Sequence, residues 1–128
     1  MGTRARAKCL DCKEQFTVSH GGGFMFHQLQ CVRCGQATNI GFSDLGDLHL
    51  RYLKGSDRPY TVAFADQHRY VREHLDIEPI AEDDYYAAVE VAAGKCDCGG
   101  KLSFDAPARC PKCGSVQIEE GDVFACYD

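Results

Sequence analysis

Cys9-Leu10-Asp11-Cys12, Cys31-Val32-Arg33-Cys34, Cys96-Asp97-Cys98 and Cys110-Pro111-Lys112-Cys113 are the four stretches that decide how this 128-residue chain is read. They hold eight of its nine cysteines. Two thiolates two or three residues apart can turn onto one ion if the backbone between them bends sharply. Two such turns complete a tetrahedron of sulfurs about 2.3 Å from a metal. Glycine relieves the bend because it tolerates positive φ, and Gly35, Gly99, Gly100 and Gly114 stand just after the knuckles. Between Cys12 and Cys31 lie 18 residues, the spacing of a two-knuckle zinc site. Between Cys98 and Cys110 lie 11, a tighter version whose first pair is one residue short.

The spacing therefore predicts two structural Zn2+ ions. Cys9, Cys12, Cys31 and Cys34 would hold one, and Cys96, Cys98, Cys110 and Cys113 the other. Disulfides fit poorly, since nine is an odd number and the basic N-terminus, with no apolar stretch after it, does not read as an export signal. A redox dithiol would use one Cys-x-x-Cys and leave the other pairs unexplained. The ninth, Cys126, is expected to be a small buried hydrophobe on a closing strand.

Cys110-Pro111-Lys112-Cys113-Gly114 resembles the rubredoxin-type knuckle of zinc-ribbon proteins, and Cys31-Val32-Arg33-Cys34-Gly35 is similar without the proline. The resemblance covers residues 9–42 and 95–127. It implies fold and metal rather than a particular function, because such ribbons serve in transcription, translation, catalysis and scaffolding alike. Cys96-Asp97-Cys98 departs from the family's spacing.

Working outward from the knuckles, the expected fold class is α+β: two small antiparallel zinc ribbons flanking a short, mainly helical middle segment. Residues 1–42 form the N-terminal ribbon, 43–94 the middle and 95–128 the C-terminal ribbon. Residues 4–8 lead into the first knuckle. Glu14–Ser19 and Phe24–Gln30 are expected to pair as a hairpin around Gly21-Gly22-Gly23, and 37–42 to add a strand. In the middle, Ser43 is placed as the cap of a helix carrying Leu45, Leu48, Tyr52 and Leu53 that ends before Gly55. Tyr60–Phe64 reads as a strand, and Asp66 as the cap of a helix running to His74. Glu82–Ala93 reads as a helix with acidic residues in its first turn, Tyr85, Tyr86, Val89 and Ala93 on its buried face and Gly94 as its stop. Lys101–Phe104, Ser115–Ile118 and Val123–Tyr127 supply the last strands.

The net charge is −5, distributed as +3 over residues 1–35, −6 over 36–94 and −2 over 95–128. Two zinc ions, each with four thiolates, bring the formal total to −9, which argues against bulk attraction to phosphate. Arg4, Arg6 and Lys8 still form a basic N-terminus that a nucleic-acid-binding ribbon would use. Against that, Lys8, Lys13 and Arg33 flank the first knuckles, and Lys95, Lys101, Arg109 and Lys112 the second, where cations offset thiolate charge without any partner. Residues 14–32 contain no Lys or Arg. No nucleophile elbow, phosphate loop or dinucleotide fingerprint is present. His20, His27, His49, His68 and His74 lack paired helical spacing, and Asp44, Asp47 and His49 read as exposed polar residues on a helix.

The sequence thus points to a non-catalytic, zinc-binding adaptor that contacts another protein. A nucleic-acid-binding ribbon is the alternative and a rubredoxin-like iron electron carrier the second alternative. The segment near 80–93 carries Glu82, Asp83, Asp84 and Glu90 and is too polar to cross a bilayer, so a cytoplasmic location without membrane contact is expected.

Overall fold

The computed structural model describes residues 2–23, 25–59 and 65–127. Its elements run β1 (Gly2–Cys9), β2 (Gln15–His20), β3 (Phe26–Cys31), β4 (Ala37–Gly41), α1 (Phe42–Leu45), α2 (Asp47–Gly55), α3 (Ala65–His74), α4 (Glu82–Ala93), β5 (Leu102–Ser103) and β6 (Ile118–Tyr127). The fold is α+β, with two three-stranded antiparallel sheets ordered β2-β1-β6 and β4-β3-β5. The expected strand over 60–64 lies outside the described residues, as does Phe24. Among the described residues no helix is long and apolar enough to cross a membrane.

Each sheet joins strands from both ends of the chain. The expected hairpin between Glu14–Ser19 and Phe24–Gln30 does not form. Instead β2 folds back on β1 across the first knuckle, from Thr3↔His20 to Lys8↔Gln15. The glycine run carries the chain from one sheet to the other. Gly21 has φ 84°, and a Cβ at Gly22 would fall 2.4 Å from the Phe26 carbonyl oxygen. The C-terminal stretch forms one long strand, β6, on the far side of β1, with bulges on either side of Ala5. Tyr127 closes that strand. Its Oη donates to the Gly21 carbonyl at 2.6 Å, and its ring stacks near Phe26 at 6.1 Å, linking the two sheets.

The helical middle packs on the second sheet. The predicted helix from Ser43 is broken: Gly46, at φ 55°, separates α1 from α2, and Ser43 lies inside α1 rather than capping it. The helix Glu82–Ala93 forms as expected, with Tyr85 and Val89 fully buried and Gly94 at φ 75° beyond its end. Leu29, Cys31, Phe42, Leu45, Tyr52, Tyr85, Val89, Cys96 and Leu102 make the main core. Under the first sheet the core is only Ala5, Ala7 and Val18, with Phe16, Ala108 and Ile118 partly buried against it. Helix α3 is held at its C-terminus by Lys54 Nζ. It donates to the carbonyls of Leu75 (2.7 Å) and Arg72 (3.1 Å), a cation placed at the negative end of the helix dipole.

Three histidines are buried, and two of them, His27 and His49, sit together in the core. His49, expected as an exposed helix residue, is 3% exposed, and His27 is 1% exposed. Both face Tyr85 Oη, His27 Nε2 at 2.7 Å and His49 Nδ1 at 3.3 Å, beneath the rings of Phe42 and Tyr52. Both are lowered from 6.5 to about 4, His49 by burial and His27 by burial together with the charge of His49. Unfolded histidine keeps its ordinary value, so the unfolded chain binds more protons below that value. The stability contribution of the neutral rings is complete above about pH 6.5 and is lost as pH falls toward 4. Imidazole NMR shifts of His27 and His49 should therefore hold their neutral-form values from about pH 8 to about pH 5.5. A midpoint near 6.5 for either ring contradicts the buried neutral pair.

Candidate metal centres

Four knuckle turns deliver the cysteines. Three begin where a strand or bridge ends, the one at Cys110 follows an irregular stretch, and all four close by a short backbone bond. Lys13 N–H donates to the Cys9 carbonyl (3.0 Å), Gly35 to Cys31 (2.9 Å), Gly99 to Cys96 (2.8 Å) and Gly114 to Cys110 (2.9 Å). The residue after three of these turns is glycine with positive φ, at 76° for Gly35, 89° for Gly99 and 75° for Gly114. At the first knuckle Lys13 takes that place at φ 67°, a left-handed conformation that costs a side-chain-bearing residue about 1–2 kcal/mol.

The eight cysteines meet in two sets of four. The grouping differs from the one expected from spacing. Cys9, Cys12, Cys110 and Cys113 form one cluster, and Cys31, Cys34, Cys96 and Cys98 the other, with all four sulfurs in each within 4.8 Å of one another. Sequence proximity favoured closing each ribbon on itself. The strand pairing decides otherwise, because β6 lies beside β1 and β5 beside β3. The first cluster is called the outer centre and the second the inner centre, since the inner pairs lie between the outer ones along the chain.

The geometry suits a tetrahedral ion. Sulfurs 2.3 Å from a common centre lie about 3.8 Å apart. Cys9 and Cys113, and Cys12 and Cys110, are each 3.5 Å apart; Cys31 and Cys98 are 3.4 Å apart, and Cys34 and Cys96 3.6 Å. These separations far exceed a disulfide bond. Backbone N–H groups point at the sulfurs: Cys12 N–H at Cys9 Sγ (3.4 Å), Arg33 and Cys34 N–H at Cys31 Sγ (3.3 and 3.4 Å), and Lys112 N–H at Cys110 Sγ (3.4 Å).

Those donors split the thiols electrostatically. The Cys12 N–H is the main reason that Cys9 falls to about 7, against the opposing effect of burial. At Cys31 burial acts upward, but the N–H groups of Cys34 and Arg33, with the Cys98 thiol, bring it down to about 6. In Cys34 the Gln36 N–H acts downward, yet burial and the sulfurs of Cys96, Cys98 and Cys31 push it up to about 12. Cys113 likewise goes up to about 12: the Ser115 N–H opposes the rise, and the Cys9 thiol and burial drive it. Four sulfurs this close cannot all ionise by themselves. A divalent cation at their centre removes that conflict, and its binding releases protons.

The short Cys96-Asp97-Cys98 knuckle works through Gly100. A Cβ there would lie 2.5 Å from Cys31 Sγ and 2.7 Å from Arg33 Cβ. The flanking bridge Lys95↔Lys101 and the bond from Cys96 N–H to the Gly100 carbonyl (2.9 Å) tighten the turn into a small loop.

Three of the basic residues near the knuckles grip backbone carbonyls, while Lys101 and Lys112 pair with Glu90 and Glu14. Arg33 Nη1 donates to Cys98 O (3.2 Å) across the inner centre, and Lys13 Nζ to Leu10 O (3.0 Å). Arg109 donates through Nε to Val32 O (3.1 Å) and through Nη1 to Gly114 O (3.0 Å). Arg4, Arg6 and Lys8 are elsewhere, at the exposed positions of β1 that alternate with buried Ala5, Ala7 and Cys9. The Arg4 guanidinium lies 5.4 Å from the Tyr127 ring centre and that of Arg6 6.0 Å from Phe124. Cys126 is exposed on β6, not buried as expected, because Cys126 pairs with Thr3 at an edge of the thinly cored sheet.

Sequence reasoning missed the roles of Arg109, Gly100 and the core histidines His27 and His49. For His27 a signal was present, since alternation along β3 puts His27, Leu29 and Cys31 on one face. Likewise His49 shares a helical stripe with Tyr52 and Leu53.

The chain belongs to the family described as "Domain of unknown function (DUF8255)", whose model matches residues 5–119, a span that includes all eight clustered cysteines. No curated protein and no solved structure matches it. The two four-cysteine clusters give a zinc-ribbon-like arrangement, with no specific relationship to rubredoxin-type proteins.

Two measurements test the grouping and the glycine. The double variant Cys31→Ser/Cys96→Ser should keep one ion of two by native mass spectrometry, because both changes fall on the inner centre. Loss of both ions restores the grouping by sequence proximity. Gly100→Ala should lose most inner-centre occupancy while the outer ion stays, since its Cβ displaces a ligand sulfur. Two ions bound at wild-type affinity in Gly100→Ala contradict the close approach.

Proposed function

We propose that the protein is a structural zinc module in which Cys9, Cys12, Cys110 and Cys113 hold one Zn2+ and Cys31, Cys34, Cys96 and Cys98 another, and that the module serves as a non-catalytic adaptor for a protein partner. The observation that carries this reading is the pair of closed four-sulfur sets. Four thiolates fill a tetrahedral ion's coordination and leave no position for water or substrate, the mark of a structural site. A structural zinc contributes on the order of 10 kcal/mol to a small domain, and three apolar residues under the first sheet contribute far less. The same four-thiolate chemistry accepts iron, so an electron carrier remains the reading that elemental analysis separates.

Protein contact is supported by the open face and edge of the first sheet. Val123 and Phe124 are each 55% exposed there. The charges around them are mixed: Lys8 stands opposite Glu119 in register, and His20 Nε2 meets Glu120 at 2.6 Å. Exposed apolar side chains among paired opposite charges suit a protein surface better than a run of phosphates.

Nucleic-acid binding is the second reading, favoured by one observation: Arg4, Arg6 and Lys8 share the exposed side of β1, beside the rings of Phe124 and Tyr127. Against it, the chain carries −5 before metal and formally −9 with two ions.

A pull-down from cell extract with and without nuclease, paired with gel-shift titration on mixed DNA and RNA, decides between them. The adaptor reading expects a partner whose capture survives nuclease and is lost in Phe124→Asp, with no gel shift at physiological salt. Micromolar binding that weakens on the order of a thousandfold between low and moderate salt, and disappears when Arg4, Arg6 and Lys8 are replaced by Ala, transfers the assignment to nucleic acid. Elemental analysis should return two zinc per chain.

A further inference from the structure

From the nesting of the two centres and the contacts of Arg109, we infer that metal loads in a fixed order, the inner centre first, and that Arg109 is the positioning residue through which the filled inner centre prepares the outer one. The inference rests on the two-zinc reading and specifies how those sites assemble.

The order follows from loop closure. Inner-centre sulfurs that meet lie 62 and 67 residues apart in the chain, and outer-centre sulfurs 98 and 104. The closure cost grows as three-halves of the logarithm of loop length. Closing the outer centre alone draws together a loop of roughly 100 residues. Once the inner centre is closed, only the stretches 13–30 and 99–109 remain between the outer knuckles, roughly 30 residues. That difference favours outer-centre closure by roughly sixfold. The help is the same in the other direction, since such coupling is reciprocal; the order comes from the first closure, where the shorter inner loop is favoured over the outer one by roughly twofold.

Local packing points the same way. The inner centre sits in the main core: Cys31 and Cys96 are buried with Leu29, Tyr85, Val89 and Leu102, and Cys31 pairs with Leu102 across β3 and β5. The outer centre borders a core of two alanines and a valine. Apolar burial therefore helps to assemble the inner ligands before any ion arrives, and gives the outer ligands little such help.

Arg109 is the physical link. It immediately precedes Cys110, and its Nη1 donates to Gly114 O, bracing its own outer knuckle from Cys110 to Gly114. Its Nε donates to Val32 O inside the inner knuckle. The two backbones meet so closely that a Cβ on Gly35 would lie 2.7 Å from Arg109 Cβ and 2.8 Å from Arg109 N. The C-terminal outer knuckle is thus seated on the N-terminal inner knuckle. An inner turn set by its ion presents the Val32 carbonyl at the right place; an unset one does not. Coupling of this kind is reciprocal in free energy, while the order of filling comes from the unequal closure costs.

The test uses the full-length reduced apo-protein titrated with zinc ions. At one equivalent, rapid thiol alkylation and mass mapping should find Cys31, Cys34, Cys96 and Cys98 protected and Cys9, Cys12, Cys110 and Cys113 modified. Cys113→Ser should bind its single inner ion within about threefold of the wild-type first step. Arg109→Ala should still bind two ions, with outer affinity lowered about tenfold and inner affinity changed by less than threefold. Arg109→Lys should not restore the outer affinity, because one ammonium cannot span both carbonyls as the guanidinium fork does. Equal protection of both sets at one equivalent overturns the order. An Arg109→Ala variant that weakens both centres alike, or neither, overturns the link. Wild type that binds two ions independently removes this inference and leaves the zinc module standing, whereas wild type that binds fewer than two ions removes both.

Discussion

Four sulfurs must converge on one point twice over, from stretches of chain up to 104 residues apart, and the rest of the structure is arranged around that requirement. Knuckles at 9–12 and 110–113 bring the two ends of the chain together, so β6 becomes the neighbour of β1. Knuckles at 31–34 and 96–98 do the same one step further in, so β5 becomes the neighbour of β3. The helical middle is looped out between the inner knuckles. It returns over the β4-β3-β5 sheet, where Tyr85 and Val89 of α4 meet Leu29 and Leu102. Nesting produces one tied unit in which neither sheet is complete without both ends of the chain.

The two sheets solve the problem of burial differently. Beneath the second sheet there is a core with large rings in contact, Tyr52 against Tyr85 at 4.2 Å and Phe42 against His49 at 4.2 Å, and a buried polar trio of His27, Tyr85 and His49. The trio is held by two hydrogen bonds that converge on Tyr85 Oη, with both imidazoles neutral near physiological pH. Beneath the first sheet, Ala5, Ala7 and Val18 bury little area, and the outer cysteines at its end take over the role that a core plays elsewhere.

Much of this was legible in the sequence, and the boundary of legibility is physical. Spacing within a knuckle is a local constraint, so the four turns, their glycines and the eight candidate ligands could be read directly. So could the helix Glu82–Ala93, whose acidic start and Gly94 stop are local signals. The partnering of knuckles is non-local. Nothing within Cys9-Leu10-Asp11-Cys12 distinguishes Cys31–Cys34 from Cys110–Cys113 as its mate, and chain proximity pointed to the former. The same limit explains the missed hairpin, since β2 pairs with the strand before the knuckle rather than with the one after the glycines. Ser43 was misplaced because the nearby Gly46, at φ 55°, splits the helix that Ser43 would otherwise begin. Cys126 looked like core because strand ends usually are; here the strand lies on a sheet with almost no core to enter.

The charges near the sulfurs carry the last step. Clustered Lys and Arg beside cysteine knuckles suggest a grip on phosphate when seen as a list. In the folded chain Arg33 and Arg109 are turned inward onto the carbonyls of Cys98, Val32 and Gly114, where each guanidinium ties two knuckles together. A four-thiolate site would keep two net negative charges around a divalent ion and so favours cations nearby, and fixing them to backbone carbonyls keeps them there at little further entropic cost. Their positive charge is therefore committed within the fold. What is left at the surface of the first sheet is a mixture: Arg4, Arg6 and Lys8 on β1, Glu119 of β6 opposite Lys8, and the exposed ring of Phe124. Charges of both signs alternate across that surface, so the cations of β1 do not make an unbroken basic stripe.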